Sequence, residues 1–403
     1  MSPRRLDLRI LCEYGAPIGS ILRSWPTLPL VARFNASRKS TIPRNVMVAL
    51  RRPDRLCQID LDITSSMTGP IVEMVQKPCQ ALESIRITVN DTTRPSILVH
   101  NPFLGGSAPH LREIKLDGIA FPFPEIRQLL LSTNNLVELH LSSIPNDAYF
   151  SPDDLVTGLT TLVQLKRLMV DFHSPASPPL NLTRPPPRRT TLPSLMFLGF
   201  HCASEYLEEF VAQIDSPALC EITVGLFNQI FFEIPRFCQF IPRLNALRSP
   251  TWVSVTHSMK SVSVLFFQEG NPSNEYCLET SCRRLDWQLS FVTEISSQLS
   301  PLLSSVRSIS IKRCDGSPDG AGDVDFTQWL ELFRPYIHVT QIHVLEERFV
   351  PDIVEALRAE GMDAGLLPEL TWLRLIGYKK SLSVAEAAMQ FVAARGRTVS
   401  LYD

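Results

Sequence analysis

The chain has 403 residues, with 39 Lys and Arg against 41 Asp and Glu, for a formal net charge of -2. Its basic pairs are scattered rather than clustered, which excludes a basic patch for nucleic acid or for an anionic membrane surface. The hydrophobic share is 44%, which excludes a disordered chain, and no apolar run approaches the ~18 residues that a membrane-spanning helix needs.

The nine cysteines contain no CxxC pair, and the residues after Met1 form no apolar signal core. An odd number of cysteines without paired spacing favours reduced thiols over a disulfide framework. We therefore expect an intracellular protein, cytoplasmic or nuclear.

A pattern of the form apolar-x-x-apolar-x-apolar recurs along the chain. Seven copies follow one another at intervals of 24 to 30 residues, and three more return after a less regular stretch. Leucine-rich repeats have a period of about 20–29 residues, and longer variants are tolerated in their loops. The copies begin at Leu56, Leu82, Leu111, Leu136, Leu165, Leu195, Leu219, Val306, Val339 and Leu370.

The last two apolar residues of each copy are two positions apart, so in a strand they point to the same side. Segments with helical spacing lie between several of the copies, and Ser151-Pro152-Asp153-Asp154 has the composition of a helix start. One repeat cannot bury its apolar side alone, so neighbours must stack. The sequence thus predicts an α/β fold: a leucine-rich-repeat solenoid with a parallel concave sheet and helices or irregular loops on the convex side.

Four segments are expected in chain order: an N-terminal cap and linker at 1–50, a first repeat block at 51–250, an insertion at 251–287, and a second repeat block with a C-terminal cap at 288–403. Residues 174–193 are too rich in proline for a helix and predict an exposed loop. Residues 251–287 alternate with strand periodicity, which predicts a β-hairpin-like insertion with its turn around 269–274. Leu244 and Leu247 resemble a decayed repeat whose strand would run at Ser249-Pro250.

Motifs of catalysis or cofactor binding are missing: the sequence has no GxGxxG, GxxxxGK[ST], GxSxG or HExxH. His338 and His343 have the wrong spacing for a metal pair, and Cys277 and Cys282 are better explained as core residues. The acidic loop 315–325 lacks the ligand order of a calcium loop. We expect no catalytic residue, no cofactor and no metal, although Cys12 would become a candidate nucleophile if a histidine came near it.

An ordered series of blocks resembles the expanded fungal F-box proteins with degenerate leucine-rich repeats. The blocks span nearly the whole chain: Leu6–Cys12, Ser24–Leu30, Cys282–Ser290, Leu299–Leu303, Gln328–Phe333, Leu367–Leu370 and Phe391–Arg395. The resemblance implies a substrate receptor of an SCF-type ubiquitin ligase, in which an F-box binds the Skp adaptor and the repeats bind the target. The sequence departs from the family because no Leu-Pro-x-Glu opening precedes Ser24, so we expect adaptor binding only if an upstream F-box exists.

The residues favour a non-enzymatic protein-interaction scaffold that binds a protein or peptide on its concave face and binds neither nucleic acid nor membrane. Two alternatives stay open: an enzyme with an unrecognised site in 251–326, and a repeat protein unrelated to ubiquitination. Outward positions of the repeats supply mixed charges, with Phe197, Met169 and Trp372 as apolar anchors. The candidate contact residues are Asp60, Asp62, Arg86, Glu113, Lys115, Asp117, Glu138, His140, Arg167, Met169, Asp171, Phe197, His201 and Trp372.

Overall fold

The computed structural model describes most of the chain in two compact units. The first unit comprises Met1–Phe200 and Gln213–Pro217, and the second comprises His201–Ala212 and Ala218–Asp403. The described residues are 9–13, 18–36, 41–74, 76–90, 97–98, 102–120, 122–173, 189–227, 233–314, 324–359, 366–375, 386 and 389–390.

Fifteen of the described strands belong to a mostly parallel sheet. The strands up to the middle of the chain are β1 (Ile10–Cys12), β2 (Leu30–Asn35), β3 (Leu56–Ile63), β4 (Ser84–Val89), β5 (Ile97–Leu98), β6 (Glu113–Asp117), β7 (Ile119–Ala120), β8 (Glu138–Ile144), β9 (Arg167–Phe172), β10 (Thr190–Thr191) and β11 (Phe197–Cys202). The others are β12 (Ile214–Asp215), β13 (Glu221–Leu226), β14 (Trp252–His257), β15 (Ser261–Gln268), β16 (Asn271–Ser281), β17 (Ser308–Arg313), β18 (Gln341–Val344) and β19 (Trp372–Leu375).

Short helices separate many of these strands. They are α1 (Ile18–Ser24), α2 (Arg44–Leu50), α3 (Thr68–Met74), α4 (Phe123–Ser132), α5 (Pro152–Leu159), α6 (Ser204–Gln213), α7 (Pro235–Phe240), α8 (Leu285–Gln298), α9 (Phe326–Phe333) and α10 (Val350–Ala359). The helix start predicted at Ser151 is confirmed, because the Ser151 hydroxyl accepts from the Asp154 backbone N–H and the Asp154 carboxylate accepts from the Ser151 backbone N–H.

The strand order in the first unit is β1-β2-β3-β4-β6-β8-β9, and in the second unit it is β13-β16-β15-β14-β17-β18-β19. Strand β11 has residues in both units. The register aligns the motif from one repeat to the next: Ile59 pairs with Ile85, Ile85 with Ile114, and Ile114 with Leu139. These four side chains are at most 1% exposed. The α/β leucine-rich-repeat fold predicted from the repeats is therefore confirmed.

Two further strands precede the first motif. Strand β1 pairs in parallel with β2, and β2 pairs in parallel with β3. Ile10 is buried whereas Leu11 is exposed, and Leu6 and Leu8, which we expected to belong to the cap, lie outside the described residues. The sheet of the first unit thus begins within the segment where the sequence predicted a cap and linker.

The alternating segment after residue 250 forms three strands of the second unit. Strands β14, β15 and β16 run antiparallel in chain order, with Gly270 at positive φ (85°) in the turn between β15 and β16. Strand β16 pairs in parallel with β13, and β14 pairs in parallel with β17. This segment was predicted as an insertion outside the repeat, but both of its outer strands occupy repeat positions.

The strand expected at Ser249-Pro250 begins instead at Trp252. The Thr251 carbonyl accepts hydrogen bonds from the backbone N–H groups of Arg307 and Ser308. In an ordinary repeat, the Glu83 carbonyl likewise accepts from the backbone N–H groups of two successive residues of the next repeat. Pro250 therefore occupies the buried place of the first motif leucine. Its ring has no N–H to donate, which is tolerated there because that residue precedes the strand.

Several predicted segments lie largely outside the described residues. The proline-rich loop is described only from residue 189 onward, where β10 pairs with β12 in the first unit. Residues 315–323 of the acidic loop and the block at 391–395 are likewise outside the description.

Candidate functional site

The outward side chains of the first unit form an aligned array on the sheet. We call this the open face of the first unit: the side of strands β3, β4, β6, β8 and β9 that points away from the buried motif residues. One row runs through Gln58, Ser84, Glu113, Glu138 and Arg167, the next through Asp60, Arg86, Lys115, His140 and Met169, and a third through Asp62, Thr88, Asp117 and Ser142. The sequence-predicted contact residues of this unit are thus brought together.

Glu113 lies at the centre of a charge network on this face. Its carboxylate accepts hydrogen bonds from the Arg86 guanidinium at 3.0 Å and the Ser84 hydroxyl at 2.8 Å, and it lies 3.0 Å from the Lys115 ammonium. Burial alone would raise the pKa of Glu113, but the hydrogen bonds from Lys115, Ser84 and Arg86 outweigh it and lower the pKa.

The network continues across the next two strands. Lys115 also lies 3.0 Å from Glu138, and Glu138 lies 3.8 Å from Arg167. The Arg167 guanidinium lies 4.0 Å from the centre of the Phe197 ring, within the range of a cation–π contact. Cations and anions therefore alternate along the network from Arg86 to Arg167, and most of the charges that the sequence offered to a partner are already paired with one another.

His140 lies within this network and remains uncharged at neutral pH. Burial and the neighbouring Lys115 charge lower its pKa, against the opposing effect of the carboxylates of Asp117, Glu138 and Asp171. Its Nε2 atom is hydrogen-bonded to the Ser142 hydroxyl. His140 therefore acts on this face as a neutral hydrogen-bonding group.

The edge of the array nearest β2 carries two carboxylates. Asp60 lies 3.4 Å from Arg33, and Asn90 donates a hydrogen bond to Asp62. Burial raises the pKa of Asp62, and the Asp60 charge adds to the rise, although the hydrogen bond from Asn90 opposes it. Arg33 was not among the sequence-predicted residues, because β2 carries no recognisable motif.

The apolar end of the array is formed by Met169 and Phe197. Gly199 lies between them, and a Cβ atom at that position would meet the Met169 sulfur and approach the Phe197 ring to 3.1 Å. The absence of a side chain at Gly199 thus leaves room for the Met169 and Phe197 side chains next to it. Both are partly exposed, as expected for apolar anchors.

The second unit has a different open face, defined in the same way on strands β13 to β19. Here the Trp252 ring stacks on the Phe267 ring at 5.9 Å and on the His343 ring at 5.1 Å. His343 lies on β18, two strands from β14. Its ring reaches Trp252 because the intervening strand β17 carries the small residues Ser308 and Ser310 at the two outward positions beside these rings.

These three rings, which we call the aromatic platform (Phe267, Trp252 and His343), were missed from the sequence. Each ring is partly exposed, whereas the two serines beneath them are buried. Burial and the Arg374 charge lower the pKa of His343. The sequence signal was the alternation that put Trp252, Ser254 and Thr256 on one side, but the pairing with His343 depends on three-dimensional register.

Two other predicted residues lie on the second unit. Trp372 on β19 is 47% exposed and pairs across the strands with Gln341. The His201 ring lies 4.4 Å from the Phe227 ring, in the space left by Gly225, where a Cβ atom would lie 2.7 Å from the imidazole. Trp372 is thus available as an anchor, while the His201 ring is engaged with Phe227.

The described residues hold no cluster of three or more His, Cys, Asp or Glu that could bind a metal ion. His338 is engaged by Glu369, whose carboxylate lies 2.9 Å from its Nδ1 atom. Burial raises the pKa of Cys12 to about 11 and that of Cys277 to about 12, so both stay protonated thiols at neutral pH. A nucleophilic cysteine requires the thiolate form, which neither Cys12 nor Cys277 adopts at neutral pH.

In comparisons with known proteins, no family model and no curated protein matches the chain. Among solved structures, the chain is similar to the leucine-rich repeat-containing protein LegL7 from Legionella pneumophila, with 12% identity over 81% of this chain and 94% of that chain and a TM-score of 0.30. None of the described helices is long and apolar enough to cross a membrane.

The class of protein therefore rests on the strand register and the buried motif: they define a leucine-rich-repeat fold with an aligned, partly exposed array of side chains on its sheet. A repeat-based interaction scaffold is the function that such a surface supports.

Proposed function

We propose that the chain binds another protein on the open faces of its sheet. The observation that carries this proposal is the aromatic platform, together with the half-exposed Trp372 on the same unit. Aromatic side chains are the commonest anchors of protein interfaces because they bury a large area with few rotatable bonds. The partner inferred from this chemistry is a protein segment that presents an apolar side chain.

The paired charges of the first unit support a complementary role. An exposed ion pair contributes little net free energy, and a partner would gain little by replacing one pairing with another. The network of Glu113, Lys115 and Glu138 is therefore a polar platform that favours a correctly oriented partner, while Phe197 and Met169 are the apolar anchors of the same unit.

The finer proposal follows from the resemblance of the sequence to fungal F-box proteins. We propose that these repeats are the target-binding region of an SCF-type ubiquitin ligase receptor in the cytoplasm or nucleus. The Skp adaptor would then bind through an F-box rather than through the repeats. A leucine-rich-repeat binding protein outside the ubiquitin system is the second candidate.

The test compares two tryptophans of nearly equal exposure. Trp372 on β19 is 47% exposed and Trp287 on α8 is 48% exposed, so Trp372→Ser and Trp287→Ser remove similar apolar surface from the sheet and from a helix. The variants and the unaltered chain are used as baits in lysate of the source cells, and cross-linked partners are quantified by mass spectrometry. Circular dichroism checks that each variant is folded.

We expect at least one partner whose recovery falls about tenfold with Trp372→Ser and stays unchanged with Trp287→Ser, because anchor truncations cost about 2 kcal/mol or more. Trp252→Ser should reduce the recovery of the same partner. Equal recovery with all baits, or equal loss with both tryptophan variants, would contradict binding on the open face.

A further inference from the structure

A second polar surface lies at the amino-terminal ends of the strands of the first unit. It is a groove of about 600 Å³ that crosses four successive repeats. Its lining residues all stand beside the first leucine of a motif, so the repeat itself builds the groove. The lining residues are Ala81, Glu83, His110, Arg112, Asn135 and Gln164.

Most polar side chains of this groove have no partner among the described residues. The backbone of Arg112 is engaged, since its N–H donates to the Glu83 carbonyl at 2.7 Å and its carbonyl accepts from Val137 at 2.8 Å. Its exposed guanidinium, by contrast, makes no ion pair or hydrogen bond to any of the described residues. The side chains of His110, Asn135 and Gln164 are equally unpartnered within the described part of the chain.

The charges of this edge that have no partner among the described residues are positive. Glu83 is the one carboxylate among the lining residues, and it is paired with Arg9 at 3.1 Å. Lys166 lies two repeats further along the same edge than Arg112. The backbone N–H of Val137 donates to the Arg112 carbonyl, and the backbone N–H of Lys166 donates to the Val137 carbonyl. Two strand spacings therefore separate the backbones of Arg112 and Lys166, which amounts to about 9.6 Å.

That separation matches the repeat of a peptide in the polyproline II conformation. Three residues of such a peptide span about 9.3 Å, and residues three apart point to the same side. Its backbone carbonyls have no internal hydrogen bonds, so they can accept from side-chain amides such as those of Asn135 and Gln164.

We propose that this edge groove binds an extended acidic peptide of another protein, with two carboxylates three residues apart that meet Arg112 and Lys166. The proposal is independent of the function assigned to the open faces, because it uses different residues on a different edge of the sheet. It assigns to the first unit a binding site for a linear segment.

The probe is a fluorescein-labelled peptide, Gly-Glu-Pro-Pro-Glu-Gly, titrated with the complete chain at low salt and followed by fluorescence anisotropy. We expect binding that weakens about threefold to fivefold in Arg112→Gln and again in Lys166→Gln, the range for one partly exposed ion pair. Added salt should weaken binding by the unaltered chain.

Arg127→Gln is the matched control. Arg127 is exposed on α4, likewise has no partner among the described residues, and loses the same charge on substitution. Arg127→Gln should leave the affinity unchanged. A peptide with Gln in place of both Glu should not bind, and one with a single Pro between the Glu residues should bind more weakly.

Three results would overturn the proposal: no measurable binding of the Glu-Pro-Pro-Glu peptide, equal binding of the Gln peptide, or an equal effect of Arg127→Gln and Arg112→Gln. The last would indicate general attraction to a cationic surface rather than a site. Loss of peptide binding would leave the open-face experiment unaffected, so the two proposals fail separately.

Discussion

Acidification should weaken the second unit through His257. This side chain is completely buried on β14, and its Nδ1 atom lies 2.9 Å from the Gln288 carbonyl oxygen. The Gln288 amide nitrogen donates to the backbone carbonyls of Ser258 and Cys282 at 2.8 Å each, so its oxygen is the acceptor for His257. His257 is therefore neutral with its proton on Nδ1.

Protonation of His257 would add a second N–H inside the core. Its Nε2 atom has no hydrogen-bond partner among the described residues, and the rings of Trp329 and Phe349 have their centres 6.2 and 5.2 Å from that of His257. No carboxylate is placed to stabilise the cation among the groups that affect its pKa, which burial lowers to about 4. The hydrogen bond to Gln288 opposes this shift only in part.

The sign of the effect follows from proton binding. An unfolded chain binds a proton at His257 near its ordinary pKa of 6.5, whereas the folded unit binds it near 4. The unfolded state therefore holds more protons between these values, and the free energy of unfolding falls as the pH falls through this window. The loss amounts to about 1.2 kcal/mol at pH 5.5 and about 2.4 kcal/mol at pH 4.5 relative to pH 7.0.

The assay is urea unfolding of the complete chain at pH 7.0, 5.5 and 4.5, followed by tryptophan fluorescence. The unaltered chain is compared with His257→Phe, which removes the titrating group, and with His110→Gln, which removes an exposed histidine. His257→Phe should lower stability at pH 7.0 because it leaves the buried carbonyl oxygen of the Gln288 side chain without its donor, but it should remove about 2.4 kcal/mol of the pH dependence. Parallel pH profiles for the unaltered chain and His257→Phe would refute the reasoning.

The remaining predictions concern the core and the adaptor. Leu139→Asp should lower the unfolding free energy by several kcal/mol, because Leu139 is 0% exposed between Ile114 and Leu168, whereas Leu131→Asp on α4, where the leucine is 45% exposed, should change it by less than about 0.5 kcal/mol. Equal shifts in the thermal midpoint would contradict the repeat phasing. We also expect the 403-residue chain to bind purified Skp adaptor only weakly in a calorimetric titration, because the F-box makes the adaptor contact in the family that the sequence resembles; tight binding would contradict this.

The repeat core was predictable from sequence because its physics is local. Leu82, Leu111 and Leu165 each begin a motif whose next two apolar residues share one side of a strand, and burial of that side fixes which residues face outward. The alignment of Arg86, Lys115 and His140 across the strands follows from the same spacing.

Other features depend on contacts that the sequence does not encode locally. Strands β1 and β2 carry no motif; β2 joins the sheet through parallel pairing with β3, and β1 through parallel pairing with β2. The stacking of Trp252 on His343 requires a particular order of strands and small residues between them. That the Arg112 guanidinium has no partner among the described residues is equally invisible in sequence, because the pairing of a charged residue depends on its neighbours in space.

The antiparallel strand β15 has a consequence for how the second unit folds. In an ordinary step of the sheet, paired residues such as Gln58 and Ser84 are 26 positions apart (84 minus 58), whereas Glu221 pairs with Glu275, 54 positions away (275 minus 221). Closing the longer loop costs about 0.6 kcal/mol more entropy, since each doubling of loop length adds that amount.

Strand β14 does not carry this entropy cost, because its partner β15 is its immediate neighbour in sequence. The meander of β14, β15 and β16 can therefore form from local contacts before it docks on β13 through β16 and receives β17 on β14. Repeat proteins commonly grow one unit at a time. In the second unit this growth has to add three strands in a single step, so the meander is a cooperative folding unit larger than one repeat.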